Sequence, residues 1–264
     1  MKHLDALEAK SIYIMREAFN RISPMAMLWS IGKDSTVLAW LARKAFYGQI
    51  PFPLVHLDTG MELDEVYEYR DWYKKDWGLQ TIFEDCPPIE EIDPTLPPNT
   101  RAAARKTEGL KRFVLDRQMK GLIVGVRRDE QSTRAKERVF SPRAMDGSWD
   151  FKNQPPEFWD QYKTDFDEDT HIRIHPLLHW TEEDIWLYIQ REEIPVVPLY
   201  FARDGMRYRS LGEKNITKPV PSTATNIEEI LEELRTTKTS ERAGRVMDHE
   251  TEDAFERLRS SGYM

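Results

Sequence analysis

The sequence predicts an α/β fold: a mostly parallel sheet flanked by helices, with a C-terminal extension. Three observations predict it. Short apolar runs alternate with amphipathic stretches of helical spacing over the first 200 residues. Glycines and helix-capping residues punctuate the changes. The chemically promising residues, at 30–35, 58–60 and 127–130, each follow a predicted strand. They would therefore gather on one sheet edge, where parallel sheets bind ligands.

In chain order, residues 4 to 21 place Leu4, Leu7, Ile12, Ile14, Met15, Ala18 and Phe19 on one helical face, running on to Ile22. "MAMLWS" (25–30) is a short buried strand, and residues 34 to 46 form a helix that starts near Asp34 or Ser35. "PFPLVHLDTG" (51–60) is the second strand. A helix over 63–78 closes at Gly78, a common C-cap residue. "LQTIFED" (79–85) is the third strand, followed by a proline-rich loop and a helix over 100–119. "GLIVGVRRDE" (121–130) is a fourth strand running into charge. "HIRIHPLLHW" (171–180) is a fifth strand and its exit. Residues 181–193 are a helix with Thr181 as N-cap and Asp184 in the capping-box position. Residues 141–170, rich in turn formers and aromatics, read as a lid or docking loop, and 203–225 as a cationic loop. A helix over 226–235 begins at Asn226, and the tail after it is polar and in part helical. The division is an α/β domain over 1–200 and an extension over 201–264 that forms an acceptor or partner region.

The 264 residues are 40% apolar, enough for a sizeable core. A formal net charge of −8 argues against a general nucleic-acid surface, though a few local cations suffice for an anionic substrate. Cys86 is the single cysteine, so no disulfide, thiolate zinc site or iron–sulfur cluster can form within the chain. No secretory signal or bilayer-length apolar run is present, which makes a cytoplasmic protein with no membrane partner the expectation. Self-association is left open.

"SIGKDS" (30–35) lacks the spacing of a Walker loop and of a dinucleotide glycine motif. Its physics is still that of a phosphate cradle. Gly32 would permit a tight turn, Lys33 supplies a point charge, and Ser30, Ser35 and Thr36 supply hydroxyls. The helix start supplies N–H groups and positive potential. A run of Arg127, Arg128, Asp129 and Glu130, followed by Arg134, Lys136 and Arg138, is dense in the side chain that suits bidentate oxyanion recognition. His171, His175 and His179 are four apart, but Pro176 interrupts them and the segment reads as strand, so a metal reading is rejected. His56, Cys86, Trp180, Trp186 and Tyr188 read as structural.

"SIGKDS" resembles the S-x-G-x-D-S pyrophosphate loop of the N-type ATP pyrophosphatases. More closely, the chain resembles the small subunits of the bacterial heterodimeric sulfate adenylyltransferases, sister group of the phosphoadenylyl sulfate reductases. "PFPLVHLDTG", "KTEGLKRF", "GVRRDEQSTRAKERVFSPR", "HPLLHWTEEDIWLYI", "IPVVPLY", "RYRSLG" and "TTKTSERAGRVMD" carry that resemblance in family order across most of the chain.

The resemblance implies a Rossmann-like, adenine nucleotide alpha hydrolase-like fold and a nucleotidyltransferase. ATP is cleaved between its α and β phosphates, sulfate is the acceptor, and pyrophosphate leaves. It implies that Ser30, Gly32, Lys33, Asp34 and Ser35 hold the pyrophosphate. Asp34 would cap the helix or contact Mg2+. Leu57, Asp58, Thr59 and Gly60 would lie beside the nucleoside. Arg127 or Arg128, with Arg134, would bind the oxyanion or phosphates, oriented by Asp129 and Glu130. A GTPase large subunit is the implied partner.

Two features depart from that family. The chain is short between "VPLYFARDG" and "RYRSLG", and "LGEKNITKPV" stands where the family continues with Cys-x-Pro and a Thr-Gly turn. Two alternatives therefore stand beside sulfate adenylylation. One is a pyrophosphatase that adenylylates another small acceptor, as in sulfur insertion. The other is an ATP-binding regulatory subunit without turnover. The reductases' C-terminal cysteine has no counterpart in the sequence, which disfavours thiol chemistry.

Overall fold

The computed structural model describes residues 2–130, 132–237 and 241. Helix α1, Lys2–Arg21, buries Leu4, Ile14, Met15 and Ala18 along the expected face. Strand β1, Met25–Leu28, is buried throughout and sits centrally in the sheet. Helix α2 is Lys33–Ala45, β2 is Leu54–Asp58, α3 is Asp64–Asp76 and β3 is Thr81–Asp85. Gly78, just past α3, takes a left-handed φ of 61°, as its closing role requires. Helix α4 spans Pro98–Asp116 and β4 spans Gly121–Ile123.

Strands β5, Phe140–Ala144, and β6, Thr170–Ile174, complete a six-stranded sheet of order β3-β2-β1-β4-β6-β5. The five strands expected from the sequence are parallel. The sixth corrects the reading of 141–170 as loop throughout. β5 runs antiparallel along β6, with Pro142 opposite Ile172. Proline is tolerated on an edge strand because one side needs no ladder bond. After β4 the charged run forms two short 3-10 turns, Arg128–Glu130 and Ser132–Lys136, in the place read as a charged loop.

Helix α5, Glu182–Glu192, starts in a full capping box. Thr181 accepts from Asp184 N–H, and the Asp184 carboxylate accepts from Thr181 N–H. After it come a two-stranded pair, β7 (Met206–Arg207) and β8 (Val220–Pro221), and helix α6, Ile227–Thr236. The Asn226 side chain caps α6 by accepting from Glu229 N–H at 2.9 Å. The polar tail expected to be partly helical lies outside the described residues, apart from Glu241.

One apolar core joins the sheet to its helices and contains Trp180, Trp186 and Tyr188. Two of its buried polar tips find partners: the Tyr188 hydroxyl donates to Glu8 at 2.7 Å, and Trp180 is tied to α1. Trp180 Nε1 donates to Ser11 Oγ at 3.0 Å, and Ser11 donates onward to the Pro176 carbonyl at 2.8 Å. That chain of bonds pins α1 to the turn leaving β6. Among the described residues, no helix is long and apolar enough to cross a membrane.

The strand order reverses between β1 and β4. Such a switch point leaves a crevice at the carboxyl ends of the strands. A cavity of about 210 Å³ opens there.

Candidate active site

The β1–α2 turn builds one end of the cavity. The left-handed residue of this turn is Ile31, with φ 61°, and not Gly32. Gly32 is the N-cap of α2, in an extended conformation open to any residue. A Cβ added there would sit 3.4 Å from Ser30 Oγ and 3.6 Å from the Tyr200 hydroxyl, which is ordinary contact. The expectation of a glycine-enabled turn is corrected accordingly: a buried Ile31 side chain anchors the bend instead. Gly125, leaving β4, meets the opposite constraint. A Cβ there would lie 3.3 Å from Ser35 N, so β4 can approach the start of α2 only without one.

Lys33 is 1% exposed, yet it lines the cavity. Burial works against its ammonium group, but Asp34, Glu241 and Glu182 outweigh that and hold its pKa above the ordinary lysine value. Arg127 is fully buried beside it. Its guanidinium bonds to Asp34, to Glu241 and, through Nε at 3.0 Å, to Asp129. Burial is again opposed and overcome by these carboxylates, so its charge is fixed. Lys33 also bonds to Glu241, so the Glu241 carboxylate bridges the two cations. Arg127 and Lys33 hold the Glu241 carboxyl below the usual range despite its burial.

Asp34 does not cap α2. Its oxygens face Arg127 and, at 3.3 Å, Lys33. Ser35 Oγ donates to the Gly32 carbonyl at 3.0 Å and lies 3.2 Å from Ser30 Oγ. Asp129 links the site to α5 by accepting Glu182 N–H at 2.7 Å, and Glu130 accepts Arg127 N–H at 3.0 Å. Arg134 is buried, lines the cavity and stands 3.7 Å from Glu130.

The other end of the cavity is formed by β2 (Val55, His56, Leu57), by α4 (Ala103, Lys106, Thr107) and by a loop over 210–217 that closes above them. His56 is buried, and its Nδ1 is 3.1 Å from the Trp29 carbonyl; burial lowers its pKa. Lys106 bonds to Glu62 at 2.5 Å.

Of the residues expected at the site, Ser30, Gly32, Lys33, Asp34, Ser35, Leu57 and Arg134 line this one cavity, and Arg127 joins it through Asp34 and Glu241. Arg128 is turned elsewhere, toward His179 at 3.2 Å and the Glu137 carbonyl at 3.0 Å. Asp58 uses its oxygens on Gly60 N–H at 2.8 Å, the Tyr67 hydroxyl at 2.7 Å and Arg70 at 3.1 Å. These bonds depress its pKa although burial acts the other way. Asp58, Thr59 and Gly60 thus flank the cavity and do not line it. Sequence reasoning missed Tyr200, Lys106, Glu213, Thr217 and Glu241. The quoted segments "IPVVPLY", "KTEGLKRF" and "TTKTSERAGRVMD" contained three of them without marking which side chain mattered.

A parallel sheet with a cationic, helix-capped cavity at its switch point defines a nucleotide- or oxyanion-binding α/β protein. The sequence model of the family described as Phosphoadenosine phosphosulfate reductase domain matches residues 24–219. Sulfate adenylyltransferase subunit 2 of Saccharophagus degradans is 41% identical over 298 aligned positions, covering 100% of this chain and 98% of that one. The protein of that name from Shigella dysenteriae serotype 1 matches at 41% with the same coverage. The chain belongs to the sulfate adenylyltransferase subunit 2 family, within the phosphoadenosine phosphosulfate reductase domain family.

Solved structures share the fold. Candida glabrata FMN adenylyltransferase in complex with FMN and the ATP analogue AMPCPP superposes with a TM-score of 0.59 at 17% identity, covering 100% of this chain and 87% of that one. Phosphoadenylyl-sulfate reductase of Candida auris gives 0.54 at 13% identity, covering 83% of this chain and 97% of that one.

Proposed function

We propose that this chain is the adenylyl-transferring subunit of a sulfate adenylyltransferase, converting ATP and sulfate to adenylyl sulfate and pyrophosphate. The observation that carries this reading is the buried pair of cations, Lys33 and Arg127, converging on one carboxylate at the start of α2. That is where a polyanion would sit.

A sulfate oxygen attacks the α phosphorus, a new O–P bond forms, and the bond from the α phosphorus to the bridging oxygen breaks. The electron pair leaves with pyrophosphate. Such a displacement asks the protein mainly for positioning and charge neutralisation. Lys33 and the α2 amides take the charge that develops on the leaving group, with Ser30 and Ser35 placing it. Arg127 is locked by three carboxylates, and Arg134 faces the cavity as the cation for the incoming oxyanion. Arg128 contributes by holding the Arg134 loop through the Glu137 carbonyl.

Mg2+ would enter with the triphosphate, and Asp34 and Glu241, carboxylates that line the cavity beside Lys33, are the residues that would hold it there. Magnesium typically takes one or two carboxylates and completes its shell with phosphates and water.

Thiol-dependent reduction is a poor fit. Cys86 is buried, and burial pushes its thiol up to about 12, far from a usable thiolate. The printed name of the relatives, a subunit 2, supports a second subunit for this chain, and a GTPase is the partner we propose. We place the reaction in the cytoplasm, with residues 201–264 serving the acceptor or partner side and 1–200 the nucleotide side.

Exchange of labelled pyrophosphate into ATP tests the reading, with the partner subunit present. Exchange that requires sulfate is the expected result. Exchange without a sulfate requirement would move the assignment to another acceptor, and tight ATP binding without any exchange would leave a regulatory subunit.

A further inference from the structure

Among the residues that line the cavity, several buried polar atoms have no hydrogen-bond partner. Both carboxylate oxygens of Glu213 are among them, as are Thr107 Oγ1 and Thr217 Oγ1, and all three residues line the cavity. Glu213 is 3% exposed. The nearest cation does not satisfy it: the Lys106 ammonium is bonded to Glu62. The Thr59 hydroxyl is close, but at no hydrogen-bonding geometry. A buried carboxylate left this way costs free energy unless a ligand completes it. Its pKa is raised, first by burial and then by Glu62.

The backbone holds Glu213 in place. Lys214 N–H donates to the Met61 carbonyl at 2.8 Å, tying the loop to the turn after β2. Ile216 N–H and Thr217 N–H both return to the Glu213 carbonyl at 3.0 Å. Ile216 packs with Ala102, Ala103 and Ala104 of α4. Gly212 is required beside it, because a Cβ there would lie 2.5 Å from Thr217 Oγ1. The result is an acceptor group on a braced loop, facing apolar walls from Leu57, Ala103 and Ile216. Flat apolar walls with an acceptor at one edge fit a purine ring bearing hydrogen-bond donors, and fit a sugar poorly.

We propose that Glu213 is a specificity-determining residue for the nucleotide, accepting the exocyclic amino group of a 6-aminopurine while Thr107 and Thr217 complete the ring edge. A 6-oxopurine would present an acceptor to the same carboxylate and be rejected. The proposal rests on ATP being the nucleotide.

The test is equilibrium binding of ATP, ITP and purine riboside triphosphate, which lacks the 6-substituent, to the full chain and to Glu213→Ala. A hydrogen bond to a charged group is worth about 1.5–3 kcal/mol, or roughly 10- to 160-fold. The parent should prefer ATP over purine riboside triphosphate by that factor. Glu213→Ala should lose the preference by weakening ATP while leaving purine riboside triphosphate unchanged. It should also melt no lower than the parent without nucleotide, because burial and Glu62 outweigh the attraction of Lys106 for this carboxylate. Glu213→Gln should weaken the rejection of ITP, since the amide can donate to O6. Retained discrimination in Glu213→Ala with ATP still bound would overturn the Glu213 assignment alone. A parent chain that binds none of the three would overturn this assignment together with the functional reading.

Discussion

The backbone N–H of Lys33 donates to the Tyr200 hydroxyl at 2.8 Å, across 167 residues of sequence. The first N–H groups of a helix have no partner within it. Here a tyrosine from the far side of α5 supplies one, and the same ring lies 5.8 Å from the Lys33 ammonium. Burial pushes the Tyr200 hydroxyl up to about 12 against the opposing pull of Lys33, so it stays protonated at neutral pH. Tyr200→Phe removes this acceptor inside a buried site. We expect a loss of stability of about 1–3 kcal/mol, the cost of an unsatisfied buried group, read as a lower urea midpoint. An unchanged midpoint would mean that the N–H finds another partner.

In the proposed reaction, Lys33 is the point charge that would follow the negative charge building on departing pyrophosphate. Lys33→Ala should reduce turnover by about 10²–10³-fold, as the loss of one preorganised electrostatic contact typically does. The nucleotide KM should change far less than kcat if the contact strengthens in the transition state. Wild-type exchange rates in a folded Lys33→Ala chain would remove the β1–α2 turn from the mechanism.

Glu241 occupies the place of an anion. Its carboxylate is shared by Lys33 and Arg127, with Asp34 on both cations and Asp129 on Arg127. In the proposed reaction, a triphosphate would replace the Glu241 carboxylate on both cations. Glu241→Gln should therefore strip two buried cations of a shared counter-charge and lower the melting temperature of the ligand-free chain. Pyrophosphate or ATP should restore it, with a larger rise in melting temperature than the parent shows, because the competitor is gone. Equal stabilisation of parent and variant by pyrophosphate would show that the carboxylate and the phosphates do not compete.

The sheet and its helices were legible because burial writes itself into apolar spacing. The Thr181–Asp184 capping box and the Asn226 cap are local chemistry, and both stand where the sequence puts them. β5 was hidden because Pro142 and Arg143 break the apolar pattern, and an edge strand with one paired side tolerates both. At the site, local reasoning singled out the Lys33 turn and the arginine run, and the fold brings Lys33, Arg127 and Arg134 to one cavity wall or beside it. It could not separate Arg127 from Arg128, because which neighbour turns inward depends on contacts with Asp34 and Asp129. Asp58 follows a strand, as a site residue would, but Tyr67 and Arg70 engage it from one and two turns along α3. Tyr200 and Glu213 reach the site only through tertiary folding, which no spacing announces.

Acid should destabilise the fold through its buried histidines. His171 and His175 are buried, and desolvation, reinforced for His171 by Arg173 and Arg143, pushes them down to about 3 and about 4. Both are neutral in the folded chain at pH 5, whereas in the unfolded chain a histidine protonates near 6.5. The unfolded state then binds more protons, so stability falls as pH drops below about 6.5 and keeps falling until the folded values are reached. Because both folded values lie below 5, the loss at pH 5 is set by the ordinary histidine value, about 2 kcal/mol for each ring relative to pH 7. Glu137 extends the trend. Despite burial, Arg143, bonded to both its oxygens at 3.0 Å, and then His175 hold it at about 2. Its contribution is present above the ordinary carboxylate range and is lost between about 4.5 and 2. Urea unfolding at pH 7 and pH 5 should show a drop of at least about 4 kcal/mol from these two rings, to which buried His56, also held down by desolvation, adds. His171→Gln, which cannot titrate, should reduce the drop by about 2 kcal/mol. A pH-independent midpoint over that interval would mean that neither ring is held neutral by the fold.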